Sequence, residues 1–270
     1  MHLKRWITSI VALPLLILLI SKGGAFFFAM FVGCVAVVAL KEYYCIVFNA
    51  NSSPLPKSMV FFFFISGLSI MIASFEGLFH VVTYLIALQV VFAGLFSIIW
   101  YGSDKDVFEN VAKQAQGVFY VPFLLSYMIL IRNSNDGIVW VFFLLVLVLS
   151  GDTGAFYTGT YLGRRKLCPL ISPGKTIEGA AGGFAATLLS GAVFKYFFLA
   201  HLSWVLCGFF FICISLASQA GDLFESVLKR KGDIKDSGTV LPGHGGILDR
   251  IDALLFAAPV AYIFKTYVLY

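Results

Sequence analysis

Apolar runs close to the length of a bilayer crossing recur from one end of this 270-residue chain to the other. A run that long in lipid must satisfy its backbone polar groups internally, so only helices and closed barrels qualify. The runs are continuous rather than alternating ten-residue segments, which decides for helices. Composition agrees: 60% of residues are hydrophobic and 12% charged, against about 45–50% and 25% in soluble domains. The expected fold class is all-α, a polytopic integral membrane protein with about nine transmembrane helices.

The expected helices cover 6–20, 25–47, 58–75, 78–100, 117–131, 137–162, 179–199, 203–225 and 250–269. Lys4 and Arg5 followed by the apolar run Ile7–Ile20 look like a signal peptide. No small-residue cleavage site follows, so the run reads as a retained first span. Pro14 and Pro122 fall inside spans, where membrane helices tolerate them. The chain is expected to be a single membrane domain, 1–270, with an apolar scaffold half (1–135) and a catalytic half (136–270).

Lysine and arginine placement sets orientation. With the N-terminus inside and nine spans alternating, fifteen of the 19 basic residues lie on the cytoplasmic side and four outside. This puts the two long charged loops, 163–178 and 226–249, on the cytoplasmic face. Basic residues in short loops between spans argue against nucleic-acid binding. The five cysteines contain no C-x-x-C pair and read as small buried hydrophobes.

Three constellations carry chemistry. The first is Ser150-Gly151-Asp152-Thr153-Gly154, within the sixth expected span. An ionisable group inside a span is costly and marks function, and its glycines admit close approach of a backbone or ligand. The second is Ser172-Pro173-Gly174-Lys175-Thr176-Ile177-Glu178-Gly179, after Arg164-Arg165-Lys166. Amides at a helix start beside a lysine and hydroxyls suit a phosphate. Ser172 or Thr176 also reads as an N-cap, with Glu178 in the first turn. The Gly-Lys-Thr triplet is not a P-loop, because Pro169 stands where the first glycine is required.

The third spans residues 219–252. Asp222, Glu225 and Lys229 share a helix face, as do Asp249 and Asp252. Two acidic helix ends can meet across Mg²⁺, which takes one or two carboxylates plus phosphate oxygens. A basic patch drawn to anionic lipid explains the lysines, but not Gly243-His244-Gly245-Gly246 or the paired aspartates. His2, His80 and His201 are isolated.

Within this third stretch, Ser226-x-Leu228-Lys229-Arg230, then Lys235-Asp236-x-Gly238, then Leu241-Pro242-x-His244-Gly245-Gly246-Ile247-x-Asp249-Arg250-Ile251-Asp252 resembles the signature of the phosphatidate cytidylyltransferase (CDP-diacylglycerol synthase) family. The pattern holds across 226–252 without departure. The Gly-Asp-Thr-Gly-Ala and Ser-Pro-x-Lys-Thr-x-Glu-Gly segments resemble that family too. The resemblance implies transfer of CMP from CTP to phosphatidate, with release of pyrophosphate and use of Mg²⁺, with a second cation as a candidate beside it. The implied partners are CTP and phosphatidate in the bilayer, with a homodimer as a candidate assembly. The implied location is a bacterial cytoplasmic membrane, with the site facing the cytoplasm.

On this reading Asp222 and Asp249 are the expected metal ligands. Asp152 and Asp252 serve a second cation or support the first. Lys229, Arg230, Lys235 and Arg250 hold phosphates, and Ser172, Lys175, Thr176 and Glu178 shape a phosphate pocket. Asp236, His244, Gly245 and Gly246 complete the substrate-binding set. The rival readings are a related membrane cytidylyltransferase with another lipid acceptor, and an ion-coupled transporter whose intramembrane aspartates mark an ion path.

Overall fold

The computed structural model describes residues 13–48, 57–103, 105–238, 240 and 245–269. Among the described residues there are ten α-helices: α1 (Leu13–Lys22), α2 (Gly24–Val47), α3 (Lys57–Phe75), α4 (Phe79–Trp100), α5 (Val107–Val118), α6 (Leu124–Asn133), α7 (Gly137–Leu162), α8 (Ile177–Phe198), α9 (Trp204–Lys231) and α10 (Leu248–Ile263). A π-turn, Phe119–Phe123, joins α5 to α6, and a second, Phe264–Val268, extends α10. Among the described residues, eight continuous helical stretches are long and apolar enough to cross a membrane. The protein is an all-α polytopic membrane protein. Residues 6–12 of the first expected span lie outside the described residues, and its remainder forms the short α1.

Two helices are longer than their apolar runs suggest. The fifth span begins at Val107 rather than 117. Its first turns are polar, which hid them from hydropathy. Glu109 pairs with Lys113 at 2.7 Å, and Tyr43 donates to the Lys113 carbonyl at 3.0 Å. The eighth runs to Lys231 rather than 225, carrying the Glu225–Lys229 ion pair at i, i+4. That spacing supports a helix beyond the apolar stretch.

The chain divides into two compact units. The first comprises Met1–Asn133 with Lys231–Asp249. Its core gathers Met59, Phe63 and Ile70 of α3 with Val107, Val111 and Val118 of the α5 span. Pro122 lacks the N–H that an α-helix needs, and the helix accommodates it by the local π-turn. A Cβ on Gly67 would stand 2.8 Å from the Pro122 ring, so α3 supplies a glycine where that ring packs. The buried Gln89 amide is satisfied by Ser66 at 3.2 Å and by the Ala115 carbonyl at 3.5 Å.

The second unit comprises Ser134–Arg230 with Arg250–Tyr270. Its central feature is the α7–α8 pair. Gly151, Ala155 and Gly159 on α7 and Gly179, Gly183 and Thr187 on α8 recur every fourth residue, placing each small stripe on one face. A Cβ on Gly154 would lie 2.5 Å from Ala186 Cβ and 2.9 Å from the Gly182 carbonyl oxygen. One on Gly183 would lie 2.8 Å from the Gly151 carbonyl oxygen. The two backbones therefore touch: Gly159 lies beside the start of α8 at Thr176 and Gly179, and Gly151, next to Asp152, lies opposite Gly183 and Thr187.

Between α7 and α8 lies a small antiparallel hairpin, β1 (Lys166–Cys168) and β2 (Ser172–Thr176). The sequence reading assigned no strand here. Pro169 and Pro173 block a helix, and the hairpin satisfies the backbone instead. At the far end of this unit the buried Lys195 ammonium donates to the Ala200 carbonyl at 3.2 Å and lies 4.1 Å from the Trp204 ring. Lys265 donates to the Asn135 carbonyl. Both lysines, within the expected spans 179–199 and 250–269, are buried helix residues.

Candidate active site

In the second unit, α7, β2, α8 and α9 enclose a cavity of about 460 Å³. Asp152, Ser172, Lys175, Thr176, Gln219 and Asp222 supply its main polar groups. Its volume falls in the range of small-molecule sites, about 300–1,000 Å³. Each polar group arrives by a local rule. Asp152 follows the glycine stripe of α7. Thr176 is the N-cap of α8, its hydroxyl accepting from the Gly179 amide at 3.0 Å. Glu178, in the first turn of α8, reaches back to the Arg164 amide at 3.0 Å and the Arg165 amide at 3.1 Å. It thereby fixes the entry to the hairpin. Thr176→Ala is expected to cost about 1 kcal/mol, the usual worth of an N-cap. Thermal unfolding in detergent should fall for Thr176→Ala and recover for Thr176→Ser.

Lys175 projects from β2 and pairs with Asp222 of α9 at 2.8 Å. One and two turns on, Glu225 and Lys229 form a second ion pair on the same helix. Asp252, on the facing turn of α10, joins them. One carboxylate oxygen each from Asp222, Glu225 and Asp252 lies within 4.8 Å of the others. Glu225 is fully buried. Three carboxylates so close repel unless cations hold them together, and Lys175 and Lys229 supply part of that charge. A glycine makes the meeting of α9 and α10 possible: a Cβ on Gly221 would lie 2.5 Å from the Asp252 carbonyl oxygen. Nearby, Arg230 Nε donates to the Ile171 carbonyl at 2.9 Å, tying the end of α9 to the hairpin. The exposed Arg250 opens the α10 part of this unit.

The remaining expected residues belong to the first unit. Asp249 accepts from the Ser237 amide at 3.1 Å and the Gly246 amide at 2.9 Å. Lys235 and Asp236 are exposed on the same turn, and Gly245 adopts a positive φ of 84°. His244 lies outside the described residues. The sequence reading did not single out Glu225 as a site residue, although its spacing from Asp222 was the signal. It also passed over Glu42, a lone acid inside an apolar span and the partner of the signature turn.

The family model described as the cytidylyltransferase family matches residues 3–268. The chain belongs to the cytidylyltransferase family. A phosphatidate cytidylyltransferase of Staphylococcus aureus (strain COL) is 34% identical over 270 residues, covering 96% of this chain and 97% of the relative. One from Staphylococcus epidermidis (strain RP62A) is 33% identical over 262 residues, with the same coverage. One from Bacillus subtilis (strain 168) is 41% identical over 156 residues, which is 57% of this chain and 58% of that relative.

Proposed function

We propose that this protein transfers CMP from CTP to phosphatidate, forming CDP-diacylglycerol and pyrophosphate at a membrane surface. The observation that carries the reading is the clustering of Asp222, Glu225 and Asp252 against Lys175 and Lys229, in a unit lined by a ligand-sized cavity. The relatives, named phosphatidate cytidylyltransferases, supply the substrate pair.

The donor set suits Mg²⁺: hard carboxylate oxygens, converging, on rigid helices. Asp222, Glu225 and Asp252 would hold it within this unit. The expectation for Asp249 as a ligand rests on the family resemblance. When bound, the cation neutralises developing charge on phosphate oxygens. Asp152 lines the same cavity and suits a second cation. Lys175, Lys229, Arg230 and Arg250 are the cationic side chains of this unit for the phosphates of the two substrates. Arginine forks match phosphate oxygens in pairs, while lysine acts as a point charge.

The reaction needs little covalent help from the protein. An oxygen of the phosphatidate phosphate forms a bond to the α-phosphorus of CTP. The α–β anhydride bond breaks, and its electron pair leaves on pyrophosphate. A phosphomonoester is largely ionised near neutral pH, so the attacking oxygen needs no general base. The protein's contribution is positioning and charge neutralisation. The basic residues at 164–166 and 229–230 support a cytoplasmic location for this end of the unit under the positive-inside rule, where CTP is found. The homologues named above point to a bacterial cytoplasmic membrane.

The test is purified protein in detergent–phosphatidate micelles with labelled CTP. The expected result is lipid-soluble label that requires phosphatidate, disappears with EDTA and returns with added Mg²⁺. Label transferred to a different lipid phosphate or alcohol, and none to phosphatidate, would replace the acceptor named here.

A further inference from the structure

Glu42 lies in the last two turns of the apolar helix α2, yet it is only 5% exposed. A carboxylate at such a position persists only with strong partners. Its partners are distant in sequence: Ser237 and the two residues at the start of α10. Oε1 accepts from the Ile247 amide at 3.0 Å. Oε2 accepts from the Leu248 amide at 2.8 Å and from the Ser237 hydroxyl at 3.1 Å. The Ser237 hydroxyl in turn accepts from the Asp249 amide at 3.3 Å.

Two of these donors are among the first amides of α10, which a helix leaves without internal partners. Glu42 therefore caps α10 from another helix, with its charge at the favourable end of the dipole. The turn is cut to fit it. A Cβ on Gly246 would lie 2.6 Å from Glu42 Oε2, and one on Gly238 would collide with Oε1. Beside it, Asp249 is held by the Ser237 and Gly246 amides. The two acids thus share one hydrogen-bonded turn, with Glu42 at its base.

We infer that Glu42 is a positioning residue for the signature segment: from α2 it holds Ser237 and the amides of Ile247 and Leu248 together, and through them the orientation of Asp249 and the backbone at Gly245 and Gly246. This inference rests on the proposed transferase reading for its effect on turnover. It does not rest on it for the effect on the turn itself. Glu42→Gln keeps the size and one acceptor but turns an N–H₂ toward a backbone N–H. Ser237→Ala removes only one of the three donors.

The experiment measures steady-state CMP transfer and amide hydrogen exchange on the full-length protein, for wild type, Glu42→Gln and Ser237→Ala. Glu42→Gln should lower kcat/KM by about 10–100-fold, the usual effect of losing a support that orients a ligand. Protection of the Ile247 and Leu248 amides should fall at least about tenfold, with α3–α6 unchanged. Ser237→Ala should move both readouts the same way by less. Wild-type kcat/KM and protection in Glu42→Gln would overturn the inference. So would loss of protection throughout the first unit with normal turnover per folded molecule, because Glu42 would then serve stability alone. If wild type transfers no CMP, the transferase reading fails, and the exchange data still judge the contact.

Discussion

Asp222→Asn should lower kcat for CMP transfer by at least about 10²–10³-fold, the loss seen when one group stabilising transition-state charge is removed. The substitution keeps the shape of the side chain and removes its charge. Asp222 stands at the junction of both halves of the proposed chemistry. It pairs with Lys175 at 2.8 Å and lies within 4.8 Å of Glu225 and Asp252. Losing its charge weakens the proposed cation site and frees Lys175 from its partner in one step. The Mg²⁺ concentration for half-maximal rate should rise as well, and Mn²⁺ binding followed by EPR should weaken. Asp222→Asn with unaltered turnover and metal dependence would remove this residue from the proposed site.

The second large effect is on folding. Gly154→Val puts a branched side chain where α7 and α8 already touch. The first added carbon meets Ala186 Cβ at 2.5 Å and the Gly182 carbonyl at 2.9 Å. Neither neighbour is the far end of a flexible side chain, so the helices must separate. Overpacking usually costs about 1–3 kcal/mol, and this site should fall at or above the upper end. Gly94→Ala, inside α4 with nothing within 4 Å of its added carbon, should leave stability unchanged or raise it by up to about 1 kcal/mol, because alanine is the better helix former. Thermal unfolding in detergent compares the two. Equal midpoints would mean that α7 and α8 are not in backbone contact.

The spans were legible because backbone desolvation leaves an apolar run no alternative to a helix. Val107–Val118 was not, because Glu109, Lys113 and Gln114 interrupt the hydropathy, while the Tyr43 hydroxyl that meets the Lys113 carbonyl from α2 is invisible in sequence. The hairpin of 166–176 was missed for a related reason: its prolines announce a break without saying what replaces the helix. The Asp222–Glu225–Lys229 face could be read directly, since spacings of three and four are fixed by helix geometry. That Asp252 meets this face, and that Gly221 allows it, is a tertiary fact. Glu42 is the clearest case. Its partners lie between 195 and 206 residues away in sequence, so spacing could not find them. The available signal was the single acid of an apolar span, beside Lys41 near its end.

The most direct test of the account remains transfer of labelled CMP from CTP into lipid by the purified protein, run with and without phosphatidate and with EDTA followed by Mg²⁺. The account predicts phosphatidate-dependent, EDTA-sensitive labelling with one pyrophosphate released per CMP transferred. Folded protein that binds CTP yet yields neither labelled lipid nor pyrophosphate with any lipid acceptor would contradict it.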